Sequence, residues 1–132
     1  MTDKPVASWV ITAFNEEAFI GNAIDSILRQ DSEFPFEIIV VDDASSDRTV
    51  EITETKSIEA KGDSRLIRFA IIRNEVNRGR SISANIGCSK AMGQYVFRLD
   101  ADDEALPLRA RLQIDFLSEY PSVSVVGGFA QV

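Results

Sequence analysis

The sequence predicts an α/β fold: a Rossmann-like, mostly parallel sheet with helices on both faces. Three observations predict it. Apolar runs rich in β-branched residues alternate with stretches whose apolar positions recur at i and i+4. The run "FEIIVV" is apolar almost throughout, as a strand covered on both faces is. Most of the polar clusters come directly after such runs, where an open parallel sheet binds its ligands.

The first strand is expected at "ASWVIT", about residues 7–12. "NEEAFIGNAIDSILRQ" then changes period. Phe19, Ala23 and Ile27 form one row, with Ile20, Ile24 and Leu28 beside it, the spacing of an apolar helix stripe. Asn15 is placed to cap this helix, and Glu16 and Glu17 suit the positive end of its dipole. "FEIIVVDD" is the second strand. In "SSDRTVEITETK" a helix is expected with Ser45 or Ser46 as cap and Val50 and Thr53 facing inward. "SIEAKGDS" reads as a helix end and a loop.

"RLIRFAII" is the third strand and "RNEVNRGR" a loop carrying both signs of charge. "SISANIGCSKAMG" is a helix with small residues on its packing face; Gly87 permits close approach and Gly93 is placed to terminate it. "QYVFRL" is the fourth strand. "LPLRARLQIDFLSEY" is a helix with Pro107 near its first turn and Leu108, Leu112 and Phe116 stacked on one face. "SVSVVGGFAQV" opens a fifth strand. Right-handed crossovers turn this βαβαβαβαβ order into a parallel sheet.

Composition limits what the fold does. The 132 residues are 45% hydrophobic and 27% charged, values of a folded domain. The net charge of −7 argues against nucleic acid as a partner but not against one small anion in a local pocket. There is no histidine, so serine-histidine and cysteine-histidine mechanisms are closed to this chain. The single cysteine, Cys88, rules out an internal disulfide and suits a reducing, cytoplasmic setting. The amino terminus lacks a signal-peptide layout, and no apolar run approaches the roughly 20 residues a bilayer needs. Membrane association is expected only through regions beyond this chain.

The rim clusters carry the chemistry. Asp100, Asp102 and Asp103 in "DADDE" offer hard oxygen ligands, which Mg²⁺ and Mn²⁺ prefer. A solvated acidic loop would show the same letters. Asp42 and Asp43 close the second strand; one can tie down the turn and the other accept a ligand N–H, or both can only shape the turn. Arg78 and Arg80 bracket Gly79, either as a phosphate clamp or as a solvated loop. The loop after the first strand, "TAFNEE", is not the Gly-x-Gly-x-x-Gly turn of a dinucleotide site. A nucleotidyltransferase would also place aspartates at strand ends, and a non-catalytic binding domain would fold equally well.

Three segments together, "WVITAFNEEAFIGNAIDSILRQ", "EIIVVDDASSDRT" and "NRGRSISANIGCSKAMGQYVFRLDADDEALP", resemble the nucleotide-binding half of a family 2 glycosyltransferase. The resemblance runs from about Val6 to Gly128. It implies a GT-A fold and transfer of a sugar, with inversion, from a nucleotide-diphosphate donor, a UDP-sugar foremost. It also implies a divalent cation, Mn²⁺ or Mg²⁺. The acceptor would be a glycan, a lipid or a protein.

By the same resemblance, Thr12 and Phe14 would lie against the base, with Glu17 supporting their loop. Asp43 would read a base N–H and Asp42 would brace the turn. Asp100 and Asp102 would be the D-x-D pair, Asp100 toward ribose and metal and Asp102 on the metal at the diphosphate, with Asp103 behind them. Arg78 and Arg80 would sit near the ribose or diphosphate. Residues 1–132 would be the donor-binding part of the domain. The part that carries the acceptor and the general base would be absent, leaving no catalytic residue here.

The chain departs from the family pattern at Ala13, where proline is usual, and at Phe14, where tyrosine is. It also departs at Ala44, usually glycine, and at Ala84, usually arginine.

Overall fold

The computed structural model describes residues 4–128. Four parallel strands form one sheet in the order β3-β2-β1-β4. They are β1 (Ala7–Ala13), β2 (Phe36–Asp42), β3 (Leu66–Arg73) and β4 (Tyr95–Asp100). Helices α1 (Ile20–Leu28), α2 (Thr49–Glu59), α3 (Arg80–Lys90) and α4 (Arg109–Glu119) alternate with them, and a short 3₁₀ turn, Ala60–Gly62, comes after α2. β1 and β2 pair in register from Ala7–Phe36 to Ala13–Asp42, and β1 meets β4 from Ala7–Tyr95 to Thr12–Asp100.

The sheet is sandwiched as the apolar runs demand. On one face Trp9, Ile11, Ile38, Val40, Phe97 and Leu99 pack with Ile20, Ala23, Ile24 and Ile27 of α1 and with Ala110 and Ile114 of α4. On the other face Val10, Ile39 and Val41 meet α3. That approach is close: a Cβ on Gly87 would stand 2.4 Å from Val10 Cγ1, so only glycine fits there. β1 and β2 are central and buried along nearly their whole length. β4 is, with β3, an outer strand of the described sheet and alternates, with Phe97 and Leu99 inward and Val96 and Arg98 exposed.

Several local expectations are corrected. Asn15 does not cap α1, which begins five residues later with Phe19 at its cap position. The cap position of α2 is Arg48, not Ser45 or Ser46; Asp47 Oδ1 accepts the Thr49 N–H at 2.9 Å and does the capping chemistry from one residue earlier. In α2 Thr53 is buried as expected, but Val50 is only half-buried and Thr49 is the other buried residue. α3 ends at Lys90, and Gly93 instead donates its N–H to Ser8 Oγ at 2.8 Å. In α4 the row of Leu108, Leu112 and Phe116 points outward, because Ala110 and Ile114 are the residues that meet the sheet. No strand forms over residues 122–128, and the rest of that expected fifth strand lies outside the described residues.

Candidate functional site

The carboxyl ends of all four strands gather their loops on one edge. Thr12, near the end of β1, is the register partner of Asp100, the last residue of β4. Between these loops lies a cleft of about 340 Å³. Of the residues expected from the sequence, Thr12, Phe14, Asp43, Arg80, Asp100 and Asp102 line it. Glu17, Asp42 and Arg78, also expected at the site, do not line it: Asp42 is buried, and Glu17 and Arg78 are exposed. Glu16, Asn77 and Ser83 line it too, without having been expected there. Glu16 and Asn77 sit in loops, where no periodicity marks an inward side chain, and Ser83 is a buried residue in the first turn of α3.

The first two loops are stitched together. Asn15 adopts a left-handed conformation with φ 51°, which asparagine tolerates better than most residues. This conformation lets it bond loop two twice: its N–H reaches Ser45 Oγ and its Oδ1 accepts the Ser46 N–H, both at 2.8 Å. The Glu16 N–H donates to Thr49 Oγ1 at 2.8 Å. Glu17 completes the seam: its N–H donates to Asp47 Oδ2 and its Oε2 accepts the Arg48 N–H, each at 3.2 Å.

The two aspartates at the end of β2, Asp42 in the strand and Asp43 just beyond it, divide their work by the alternation of the strand. Asp42 is buried; its Oδ2 accepts the Ser45 N–H at 3.0 Å and lies 3.9 Å from Arg73 Nε, while its Oδ1 meets no hydrogen-bond donor. Asp43 turns to the loop after β3. Its Oδ1 accepts from the Arg78 N–H at 2.8 Å and from Asn74 Nδ2 at 2.9 Å, and its Oδ2 accepts the Gly79 N–H at 2.9 Å. Burial opposes ionisation of Asp43. The bonds from Arg78, Asn74 and Gly79, with Ser83, outweigh it and hold the carboxyl below its ordinary value.

The opposite wall is acidic. One carboxylate oxygen from each of Asp100, Asp102 and Asp103 lies within 4.8 Å of the others. Arg80 Nη1 approaches Asp100 Oδ2 at 3.3 Å, a pair exposed enough to be worth little in water. Burial pushes the Asp103 carboxyl up, and the charges of Asp102 and Asp100 push it further. Glu16 is raised in the same way, first by burial and then by Asp102, Asp47 and Asp100. A cluster of hard oxygens with no nitrogen or sulfur donor fits Mg²⁺ or Mn²⁺.

A family model described as "Glycosyl transferase family 2" matches residues 8–132. The chain belongs to this family. An uncharacterised glycosyltransferase of Haemophilus influenzae is 34% identical over 132 residues, all of this chain and 39% of that protein. Among solved structures, the fold resembles Staphylococcus aureus TarS (residues 1–349) in complex with UDP. The TM-score is 0.74 at 26% identity, over 87% of this chain and 32% of that one. It also resembles the mannosyltransferase PcManGT of Pyrobaculum calidifontis in complex with GDP-Man and Mn²⁺. There the TM-score is 0.72 at 26% identity, over 87% of this chain and 33% of that one. This family 2 chain thus spans less than half the length of the curated relatives it matches.

Its parallel sheet, with helices on both faces, is consistent with the GT-A fold of this family. Among the described residues, no helix is long and apolar enough to cross a membrane.

Proposed function

We propose that this chain is the donor-binding part of an inverting, cation-dependent glycosyltransferase that takes a UDP-sugar. The observation that carries this reading is the shared cleft. Asp43, at the end of β2, and Asp102, in the loop after β4, line one cavity with Thr12, Phe14 and Arg80. The solved relatives bound to UDP and to GDP-Man with Mn²⁺ support a nucleotide-diphosphate ligand there.

In this reading Thr12 and the exposed ring of Phe14 face the base, and Asp43 offers Oδ2 to a base N–H. Asp100 and Asp102 would hold the cation, Mn²⁺ or Mg²⁺, with Asp103 beside them. A cation held there would supply positive charge for a departing diphosphate. Arg80 stands across the cleft with a second positive charge for the same phosphates. The base that deprotonates the acceptor, itself a glycan, lipid or protein, lies outside residues 1–132. This chain alone therefore binds donor and transfers little. Its setting is the cytoplasm, or the cytoplasmic face of a membrane reached through other parts of the protein.

Calorimetry with UDP and Mn²⁺ tests the reading. Binding that needs the cation and disappears in Asp102→Ala is the expected result. A folded sample that binds no UDP, or binds it equally well after Asp102→Ala, would overturn it.

A further inference from the structure

The proposed nucleotide site leaves Asn74 without a role, yet Asn74 is only 8% exposed and its amide is committed twice. Nδ2 donates to Asp43 Oδ1 at 2.9 Å and to Ser83 Oγ at 3.1 Å. Its own N–H is tied to the Asp42 carbonyl at 2.8 Å. It is therefore anchored to β2 by its backbone, and its side chain bridges β2 to α3. Asp43, 4% exposed, does the same from the other side. It takes the consecutive N–H groups of Arg78 and Gly79, and its carbonyl accepts from Asn77 Nδ2 at 3.4 Å. A carboxylate that accepts two adjacent backbone N–H groups fixes the path of that backbone, and such charge-assisted bonds are the strong ones.

The placement of α3 depends on that path. Gly79 has φ 92°, a conformation open to glycine and rarely to other residues, and it turns the loop directly into α3. Arg80, the first residue of α3, is thereby aimed across the cleft to Asp100 at 3.3 Å. Arg78 and Arg80 have little packing of their own to hold the loop: both are exposed. Asn77, Gly79, Arg80 and Ser83 form one wall of the cleft, and the side-chain bonds that hold Asn77, Gly79 and Ser83 lead back to Asp43 or Asn74.

We infer that Asn74 and Asp43 form a clasp that holds the Asn77–Arg80 segment as the fixed wall of the cleft. Asn74 is then a positioning residue, acting on the ligand through Asp43 and Arg80 without touching it, a role that rests on the proposed nucleotide site. Asp43 has two tasks, holding this wall and facing the ligand. With Oδ1 already accepting two bonds, the ligand meets Oδ2 alone.

The test is amide hydrogen exchange in the cation-free, nucleotide-free chain, read at Arg78 and Gly79 with Val10 and Ile39 as core references. Asn74→Asp is nearly isosteric but sets an acceptor against Asp43. Both loop amides should then exchange about tenfold faster or more, the scale of one charge-assisted hydrogen bond, while the core amides keep their rates. Asn74→Ala should have a smaller effect in the same direction. If Asn74 serves only to fill space, Asn74→Asp leaves the loop amides at wild-type rates, and the inference fails. It fails too if loop and core amides accelerate together, because the effect is then global. Should Asn74→Asp not fold, Ser83→Ala with Asp43→Asn provides the same comparison; unchanged loop amides in both refute the clasp. A second arm measures UDP affinity with Mn²⁺, which should weaken in Asn74→Asp. If the wild type binds no UDP, the functional reading falls, while the exchange result still decides the clasp.

Discussion

Two groups of carboxylates sit at opposite ends of the same sheet and are treated in opposite ways. Glu37, at the amino end of β2, is fully buried. Its Oε1 accepts from Ser8 Oγ at 2.6 Å and from the Met92 N–H at 2.7 Å, and Arg68 closes an ion pair on Oε2 at 2.9 Å. Every donor it needs is supplied by the protein, and it ties the α3–β4 connection to three strands. At the carboxyl end, Asp100, Asp102 and Asp103 stand together with one exposed arginine beside them. Buried charge must be matched internally or the fold suffers. Charge left unmatched at a rim can be matched by something that arrives. In the proposed reading, the same residue chemistry serves structure at one end and binding at the other.

The largest expected effect breaks the structural end. Glu37→Ala leaves the Met92 N–H, Ser8 and the Arg68 guanidinium without their acceptor. Arg68 still reaches water, so the loss should fall near the lower limit for breaking a buried pair, about 3 kcal/mol by denaturant unfolding. Asp102→Asn should do the reverse. It should change unfolding free energy by at most about 0.5 kcal/mol, as exposed sites do, but remove the rise in melting temperature expected of the wild type with Mn²⁺. Equal stability losses in the two variants would erase the distinction between the two ends.

Proton linkage sharpens the same contrast. Asp43 and Asp47 have lowered carboxyls; in both, hydrogen bonds outweigh burial. Their stabilisation is present above the unfolded value of 3.8 and is lost as pH falls through their folded values. Glu16 and Asp103 are raised, by burial first and then by their acidic neighbours. Their contribution is present below the unfolded values of 4.5 and 3.8 and is lost as pH rises through the folded values. A cation at the rim cancels the repulsion in the second pair only. Adding Mg²⁺ should lower the titration midpoints of Glu16 and Asp103 in carboxyl NMR and leave that of Asp47 in place. It should also stabilise the chain more near about pH 7 than near about pH 4. A cation effect equal at both pH values would argue against binding at this cluster.

The sheet was legible in the sequence because its strands are apolar runs of the right length, and "FEIIVVDD" gave β2 to within a residue of Phe36–Asp42. The rim was legible because polar clusters came directly after those runs. Glu37 was not. A single charge beside the first residue of an apolar run looks like a strand end in water, and its partners Ser8, Arg68 and Met92 are scattered along the chain. The row of Leu108, Leu112 and Phe116 shows a different limit. Spacing at i, i+4 tells which side chains share a helix face but not which face meets the sheet. In α4 the smaller Ala110 beside Ile114 allows close contact, and the larger row is left outside. Asp43 was singled out for a ligand, and its bonds to Arg78, Gly79 and Asn74 depend on a loop path that no local pattern encodes.

The smallest expected effect concerns the turn between β2 and helix α2. Ala44 has φ 66°, in the left-handed region, at the position where the family pattern has glycine. For an L-residue with a Cβ this conformation costs about 1–2 kcal/mol. Glycine would remove that cost but lose more chain entropy on folding, about 0.5–1 kcal/mol relative to alanine. The difference predicts that Ala44→Gly stabilises the chain by about 0.5–1 kcal/mol in denaturant unfolding. Ala44 lies between Asp42 and Ser45, whose hydrogen bond at 3.0 Å already pins the turn, so the backbone path should survive the change. UDP affinity should then stay at the wild-type value. A destabilised Ala44→Gly would mean that the turn draws more from the alanine methyl than it loses to strain. A shifted UDP affinity would mean that the rim responds to this turn as well as to the clasp at Asp43.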